Sequence, residues 1–404
     1  MFEQFPPRAP GIDPNINTEV ESRFTIINTG IKFQQGVNYQ RTPVYLYEVA
    51  IEDELEASKN FQNLIVALEK KNMIAIIRPV KRGLGELDGI VPRANLVIVP
   101  IRAKTGQKSS YIIPIILFFA TLGSILVAGL EHAQTFKQVT DESGTIQKLI
   151  VLLVSGVNTG GSRTESPDVL LVSILYAVGL MAIIGIHELG HMLAARAHGL
   201  EASPPYFIPM PFNGLGTFGA FITQKKPAVT RNILFDIGVS GPIFGFVIAL
   251  VVLVIGFALS IPVEASTVTN DGGLPFNFIL FDIIKNIFFG RSSTKVIALH
   301  PLAFAGWIGL LITGLNLLPV SMLDGGHMVR AILDEKTHQL VSMIGVIALS
   351  ISGFFFMALL ILFLAPRHPG ALDEVGPLTP GRKLLFACVV VLAVLTFPLP
   401  NLNF

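Results

Sequence analysis

The pattern of hydrophobic and polar positions changes near residue 110. Before this point, apolar residues alternate with polar ones or recur at helical spacing, as in a small domain that faces water. The pattern predicts four strands, at residues 23–27, 44–51, 73–80 and 94–101, and one amphipathic helix at 56–72. We therefore expect a mobile N-terminus, residues 1–20, followed by a small soluble α+β domain, residues 21–108.

After residue 110, apolar runs recur that are long enough to cross a bilayer as helices. These runs lie at residues 111–130, 168–196, 234–261, 300–320, 340–364 and 382–399. Two shorter apolar stretches, 146–157 and 276–289, are predicted to lie at the membrane interface. The predicted fold class is a polytopic α-helical membrane protein with about six transmembrane helices and a small soluble α+β N-terminal domain.

The amino-acid composition agrees with a membrane protein. Of the 404 residues, 51% are hydrophobic and 14% are charged, whereas about 25% of the residues in a soluble protein are charged. The net charge of +1 gives no support for binding to nucleic acid. The single cysteine, Cys388, excludes an internal disulfide and a cysteine-based zinc site.

Basic residues predict the orientation in the membrane. Arg93, Arg102, Lys104 and Lys108 precede the first predicted span, and the next basic residue after it is Lys137. Because lysine and arginine are enriched on the cytoplasmic side, the N-terminal domain and the end of the second span are predicted to face the cytoplasm. The expected location is a prokaryotic cell membrane.

The strongest chemical signal lies near the end of the second predicted span. His187 and His191 are four residues apart, so on a helix both imidazoles point the same way and can bind one metal ion. Glu188 lies beside them, and this His-Glu-x-x-His pattern is typical of zinc hydrolases. Residues 170–186 carry no charge. Ionisable residues within a span are costly and usually mark function, although a pair of satisfied core histidines is the alternative.

A catalytic zinc ion usually has three protein ligands and one open position. The candidate third ligand is Asp324, which precedes Gly325. Asp-Gly is also a strong turn signal, so the residues alone leave a ligand and a turn aspartate equally open. Four other histidines are not predicted to be ligands: His198, His300, His327 and His338.

The motifs resemble those of the site-2 protease family of intramembrane zinc metalloproteases. The family pattern is His-Glu-x-x-His in one span and Asn-x-x-Pro-x-x-x-x-Asp-Gly in a later one, and both are complete here, at 187–191 and 316–325. Two further stretches, 216–222 and 236–242, extend the resemblance over a core of about residues 168–333. The resemblance points to a subgroup with a soluble N-terminal domain and without PDZ or CBS domains.

The resemblance implies a zinc metalloendopeptidase in residues 111–404. By this resemblance, His187, His191 and Asp324 bind one Zn²⁺ ion. Glu188 is the general base, and Asn316 helps to hold the oxyanion. The implied substrates are single-span or membrane-anchored proteins in the lipid bilayer, which are cut in their transmembrane segments near the cytoplasmic side. The oligomeric state is not indicated.

The apolar segment 216–222 is also predicted to present the substrate. It follows the proline-rich residues 204–209, which cannot form a regular helix. We expect it to form an edge strand that pairs with an unwound substrate, and a packed re-entrant hairpin is the alternative. The predicted substrate-binding residues are Gly216, Thr217, Phe218 and Gly219.

Three different functions are less consistent with the sequence. A different membrane zincin would take a glutamate from a later helix as its third ligand, but no glutamate motif occurs in an apolar run after Arg196. A membrane metal-binding transporter or a catalytically inactive scaffold could also hold a metal ion between membrane helices. Neither of these two proteins needs Glu188, so its presence argues against both.

Overall fold

The computed structural model describes residues 13–35, 41–80, 92–100, 111–142, 168–211, 214–263, 274, 276–290, 296–321, 323–364 and 368–400. The chain divides into two compact units. The first unit consists of Met1–Ser109, Lys226–Phe235 and Pro369–Lys383. The second unit consists of Ser110–Lys225, Asp236–His368 and Leu384–Phe404.

The first unit contains an antiparallel sheet and two helices. The helices are α1 (Pro14–Glu21) and α2 (Glu54–Glu69), and the strands are β1 (Ile26–Gln35), β2 (Arg41–Ala50), β3 (Met73–Pro79) and β4 (Arg93–Pro100). The strands are ordered β1-β2-β4-β3. Helix α2 packs against the sheet. Its side chains Phe61, Leu64 and Leu68 are fully buried in the core between them. These elements confirm the predicted α+β character of the N-terminal region.

Helix α1 lies within the segment that the sequence predicts to be mobile. Asp13 caps its N-terminus through a side-chain hydrogen bond. Ile16 and Val20 are buried in the core of the first unit. Residues 13–20 are therefore packed, and residues 1–12 lie outside the described part of the chain.

Two later segments extend the sheet within the first unit. The backbone N–H of Ile77 in β3 donates to the carbonyl of Leu372 at 2.9 Å, and that of Asp373 donates to Val229 at 2.8 Å. The Asp373 side chain is fully buried and accepts a hydrogen bond from Ser58 on α2. The sequence does not predict this extension, because each segment is short and lacks a periodic pattern.

The second unit is mainly helical. The helices that follow in chain order are α3 (Ile112–Glu142), α4 (Val169–Ala197), α5 (Arg231–Ala258), α6 (Ile279–Phe289), α7 (Pro301–Asn316), α8 (Asp324–Ile332), α9 (Glu335–Ile351), α10 (Phe355–Leu364) and α11 (Pro380–Thr396). The first residues of α5 and α11 belong to the first unit. The short strands are β5 (Tyr206–Met210), β6 (Gly216–Phe221), β7 (Ile261–Val263), β8 (Phe276–Asn277), β9 (Val296–Ala298) and β10 (Leu399–Pro400). They form the antiparallel pairs β5-β6, β7-β9 and β8-β10.

Within the described residues, three helices are long and apolar enough to cross a membrane: Ile112–Thr140, Val169–Ala197 and Arg231–Ala258. Helix α7 is also apolar but shorter. Several helices of the chain are therefore able to span a membrane, whereas the predicted number of six spans is not confirmed. The predicted interfacial stretch 146–157 lies outside the described residues.

The predicted span 340–364 is divided between α9 and α10. Gly353 separates them with a φ of 94°, in the left-handed region that favours glycine. The N–H of Phe354 donates to the carbonyl of Leu349 at 3.1 Å, which completes a glycine cap on α9. Hydropathy merges the two helices, because a glycine within an apolar run does not by itself predict a break.

Small residues bring the helices of the second unit close together. A Cβ atom added to Gly306 of α7 would lie 2.6 Å from Cα of Leu253 in α5. One added to Gly256 of α5 would lie 2.7 Å from Cβ of Ala303 in α7. Close backbone approach through small residues is usual between membrane helices. Helix α7 also contacts α4, so its C-terminal Asn316 can reach the histidine motif.

Candidate active site

Helix α4 carries three buried ionisable side chains near its C-terminal end. His187, Glu188 and His191 are 4%, 6% and 7% exposed. The four-residue spacing places both imidazoles on one side of the helix, and their Nε2 atoms are 3.2 Å apart. The motif therefore lies within a helix that can span a membrane.

The structure brings Asp324 to these two histidines. Its Oδ2 atom is 3.1 Å from Nε2 of His187, and its Oδ1 atom is 3.2 Å from Nε2 of His191. Candidate ligand atoms of the three side chains all lie within 4.8 Å of one another. The carboxylate of Asp324 is thus placed where a third metal ligand is needed.

A backbone carbonyl fixes the orientation of His191. Its Nδ1 atom lies 2.7 Å from the carbonyl oxygen of Ile237 in α5. Because a carbonyl oxygen only accepts, Nδ1 carries the proton and donates. In the neutral form of the imidazole, which is the form that binds a metal, the lone pair is then on Nε2, the atom that faces His187 and Asp324. Metal-binding histidines usually have such a partner, since it fixes both the tautomer and the direction of the ring.

Glycines on α5 make room for the histidine rings. A Cβ atom added to Gly241 would lie 2.6 Å from Cδ2 of His191, and one added to Gly245 would lie 2.9 Å from Nδ1 of His187. Both distances are shorter than normal van der Waals contacts. The stretch 236–242, to which the family resemblance extends, therefore forms part of the surface against which the ring of His191 packs.

Two glycines after Asp324 allow α8 to start close to the preceding turn. A Cβ atom on Gly325 would collide with the carbonyl oxygen of Leu317, and one on Gly326 with that of Ser321. The chain therefore follows a tight path from α7 into α8. This path places Asp324 next to the histidines.

Asn316 and Glu188 flank the three candidate metal ligands, which together are called the ligand group. Asn316, the last residue of α7, places its Nδ2 atom 3.5 Å from Nε2 of His187, which is the long limit of a hydrogen bond. The carboxylate of Glu188 lies near the backbone of Ile222, the residue after β6. The predicted ligands and both predicted catalytic residues thus lie together, while their chemical roles stay predictions.

Strands β5 and β6 form an antiparallel hairpin that contains the predicted substrate-binding segment. Gly216 and Gly219 have φ values of 87° and 101°, which other residues rarely adopt. Thr217 is buried, whereas the side chain of Phe218 is 66% exposed. The segment is a strand with one edge paired to β5, and its role in substrate binding stays a prediction.

A second histidine cluster in this unit is not predicted by the sequence. Nδ1 of His327 in α8 lies 2.6 Å from Nε2 of His368, and the ring centroid of His338 lies 5.7 Å from that of His368. Burial is the main cause that lowers the pKa of His368 to about 2, so this side chain is neutral at physiological pH. No motif links these residues, because they are far apart in the chain.

Comparison with known proteins identifies the family of this region. Residues 175–360 match the family model described as Peptidase family M50. The chain contains a peptidase family M50 domain. This match confirms the predicted resemblance to the site-2 protease family, and the M50 domain includes both motifs described above.

Similarity to curated plant proteins extends beyond the M50 domain. The chain is 28% identical over 350 residues to the probable zinc metalloprotease EGY1, chloroplastic, of Arabidopsis thaliana. The aligned region covers 82% of this chain and 61% of that protein. It is 29% identical over 351 residues to the protein of the same name from Oryza sativa subsp. japonica, with 81% and 57% covered. It is 30% identical over 193 residues to the probable zinc metalloprotease EGY2, chloroplastic, of Arabidopsis thaliana, with 46% and 34% covered.

The chain spans 61% and 57% of the lengths of the two EGY1 proteins. These relatives of the M50 domain are chloroplast proteins, which conflicts with the predicted prokaryotic cell membrane. The prediction of a multi-pass membrane protein does not conflict with them.

Proposed function

We propose that this protein is an intramembrane zinc metalloendopeptidase. Its substrates are single-span or membrane-anchored proteins, which it cuts in their transmembrane segments near the cytoplasmic side. The main support is the convergence of His187, His191 and Asp324 beside the buried Glu188, on a helix that can span a membrane. The M50 match and the relatives named zinc metalloproteases agree with this function.

The donor set fits one zinc ion. Two imidazole nitrogens and one carboxylate leave a coordination position open, as in catalytic rather than structural zinc sites. His187, His191 and Asp324 would hold the ion, and the carbonyl of Ile237 keeps His191 in the required tautomer. When bound, zinc acts as a Lewis acid toward the scissile carbonyl and lowers the pKa of water.

Glu188 is assigned to proton transfer. Its carboxylate takes a proton from the attacking water and passes it to the leaving amine. The residue is not needed as a ligand, since the three grouped side chains already supply the donors. The backbone of Ile222 lies near the carboxylate, and burial keeps bulk water from competing for it.

Asn316 is assigned to the oxyanion. Its Nδ2 atom lies on the side of the ligand group occupied by His187. An amide donor that points at a developing oxyanion stabilises the transition state. Removal of one such donor lowers kcat by about 10²- to 10³-fold in other hydrolases.

Strand β6 is assigned to substrate presentation. One of its edges is paired with β5, and the residue after the strand contacts Glu188. An unwound substrate segment adds to the other edge and is held extended by backbone hydrogen bonds. Gly216, Thr217, Phe218 and Gly219 would lie along this peptide, and the exposed ring of Phe218 would contact its side chains.

The proposed organisation has a soluble domain, residues 21–108, and a metalloprotease domain, residues 111–404, with residues 168–333 as its core. Helices α3 and α4 would cross the membrane in opposite directions. The residues before α3 and the catalytic end of α4 would then face the same compartment, for which the basic residues predict the cytoplasmic side.

The test compares Glu188→Gln with Glu131→Gln, which changes an exposed glutamate on α3. Zinc content and cleavage of a membrane-spanning model substrate are measured together. Glu188→Gln should abolish cleavage and retain one zinc ion per chain, whereas Glu131→Gln should retain both properties. Near-normal cleavage or loss of zinc in Glu188→Gln would contradict the proposed roles. Zinc binding without cleavage in the unaltered protein would favour the transporter or scaffold.

A further inference from the structure

Two polar side chains hold the backbone immediately before β6. Nε2 of His132, on α3, lies 2.6 Å from the carbonyl oxygen of Gly214. The hydroxyl of Tyr176, on α4, donates to the carbonyl oxygen of Leu215 at 2.9 Å. Because a carbonyl oxygen only accepts, Nε2 of His132 carries the proton and donates. Two different helices therefore fasten two consecutive residues of one segment.

Both donors belong to a packed aromatic group. Tyr176 is fully buried in the main core of the second unit, where a lost hydrogen bond is not replaced by bulk water. The ring centroid of His132 lies 5.4 Å from that of Tyr176 and 4.6 Å from that of Phe304 in α7. Contacts among three helices thus hold the donors in place.

The first residue of β6 lies directly on α3. A Cβ atom added to Gly216 would be 2.5 Å from Cα of Ile125 and 2.9 Å from the carbonyl oxygen of Ser124. Gly216 also has a φ of 87°, which favours glycine. The start of β6 therefore cannot slide along α3 without losing this contact and the two hydrogen bonds.

The other end of β6 comes near the catalytic helix, where the backbone of Ile222 lies beside the carboxylate of Glu188. Tyr176 and Glu188 are 12 residues apart in α4, which is about 18 Å along a helix. From Leu215 to Ile222 the chain reaches at most about 23 Å when fully extended. The two lengths are similar, so a strand that starts at Tyr176 can end beside Glu188.

We propose that His132 and Tyr176 are positioning residues that set the register of β6 relative to Glu188. A substrate segment that pairs with β6 takes its own register from this strand. The two side chains thereby select which peptide bond lies at Glu188. This selection rests on the proposed proteolytic function, whereas the anchoring of β6 is a property of the protein itself.

The test uses matched variants at both anchors. Tyr176→Phe keeps the ring and removes only the hydroxyl. Its control is Ser173→Ala, because Ser173 is also buried on α4 and donates to a carbonyl of α3, that of Leu126, rather than to the segment before β6. At the second anchor, His132→Leu removes the donor, and His132→Gln keeps an N–H of similar reach.

Two readouts are needed in the full-length, zinc-loaded protein. Hydrogen exchange over residues 217–222 should rise in Tyr176→Phe and His132→Leu but not in Ser173→Ala or His132→Gln. With a model transmembrane substrate, the first two variants should lose roughly threefold to tenfold in kcat/KM, as expected for one neutral hydrogen bond. They should also cut at neighbouring bonds, which mass spectrometry detects. A general loss of stability would not move the position of the cut.

Unchanged exchange over residues 217–222 in both Tyr176→Phe and His132→Leu would overturn the anchoring, whether or not the protein cleaves a substrate. Raised exchange with an unmoved cut and unchanged kcat and KM would overturn the selection of the bond. If the unaltered protein cleaves nothing, the proposed function fails, and the exchange data still decide whether His132 and Tyr176 hold β6.

Discussion

Replacement of Gly241 by alanine adds one methyl group where α5 faces His191. The new Cβ atom would collide with Nε2 of the imidazole and would lie 2.5 Å from Cε1 and 2.6 Å from Cδ2. Nonbonded carbon atoms are normally about 3.5–4.0 Å apart, so the ring must move by at least about 1 Å. This movement loosens the hydrogen bond from Nδ1 to the carbonyl of Ile237 and displaces Nε2 from Asp324.

The displacement is expected to weaken zinc binding by about 10- to 100-fold, which is the usual effect of disturbing the partner of a metal-binding histidine. Cleavage should fall by roughly 100-fold, because a 1 Å misplacement at a reacting centre has an effect of that size. Helix stability does not account for such a loss, since alanine is favoured over glycine within a helix by about 0.5–1 kcal/mol.

Zinc affinity in a metal-buffered titration and cleavage of a model transmembrane substrate measure these effects. The matched control is Gly123→Ala on α3, where an added Cβ atom has no neighbour within 4 Å, and it should keep the affinity and activity of the unaltered protein. If Gly241→Ala binds zinc with unchanged affinity and cleaves normally, the assignment of His191 as a ligand packed against α5 is refuted.

Three further changes test other parts of the second unit. Asp324→Ala should strongly weaken zinc binding, measured as metal content of the purified protein, because two histidines leave the ion under-ligated. Proline placed in turn at Thr217, Phe218 and Ala220 should abolish cleavage of a model substrate in at least one case while zinc is retained, since proline removes an N–H. Gly353→Ala should lower the free energy of unfolding by about 1 kcal/mol in a denaturant titration, because alanine is strained at a φ of 94°.

Each of these three changes also has a result that would contradict its prediction. Stoichiometric zinc with full activity in Asp324→Ala would mean that this residue only shapes a turn. Equal loss of fold at every proline position, or full activity at all of them, would speak against strand addition. An unchanged unfolding midpoint in Gly353→Ala, compared with Gly123→Ala, would contradict the glycine cap on α9.

Features with a local cause could be predicted from the sequence. Helical periodicity alone places His187 and His191 on one side of α4, and alternation marks β2, β3 and β4 in the first unit. The position of Asp324 has no local cause. The residues left a turn and a ligand equally open, and only the resemblance to a family favoured the contact that the structure contains.

Contacts between distant segments account for what the sequence does not predict. His368 meets His327 only because the chain returns to α8 after α10. The proximity of Ile222 to Glu188 depends on the path of the β5-β6 hairpin, which no periodic pattern encodes. The break at Gly353 depends on one backbone angle, and an apolar run with a single glycine is equally compatible with an unbroken helix.

The first unit is built from three separate segments of the chain, which limits how the chain can be truncated. Its sheet includes backbone from residues after α10, where Asp373 and Glu374 are buried. Ser58 donates to Asp373, and Arg78 forms an ion pair with Glu374 at 3.3 Å. Removal of residues 1–109 would take these partners away from two buried carboxylates, and loss of a partner from a buried charge is destabilising.

The same limit applies to α5, whose first residues belong to the first unit. Later in this helix, Ile237 accepts the hydrogen bond that fixes the tautomer of His191, and Gly241 gives its ring the space it needs. A truncation that alters the start of α5 therefore acts on a helix that orients a proposed zinc ligand. Loss of activity in such a truncated protein would follow from this continuity and would not by itself reveal a regulatory domain.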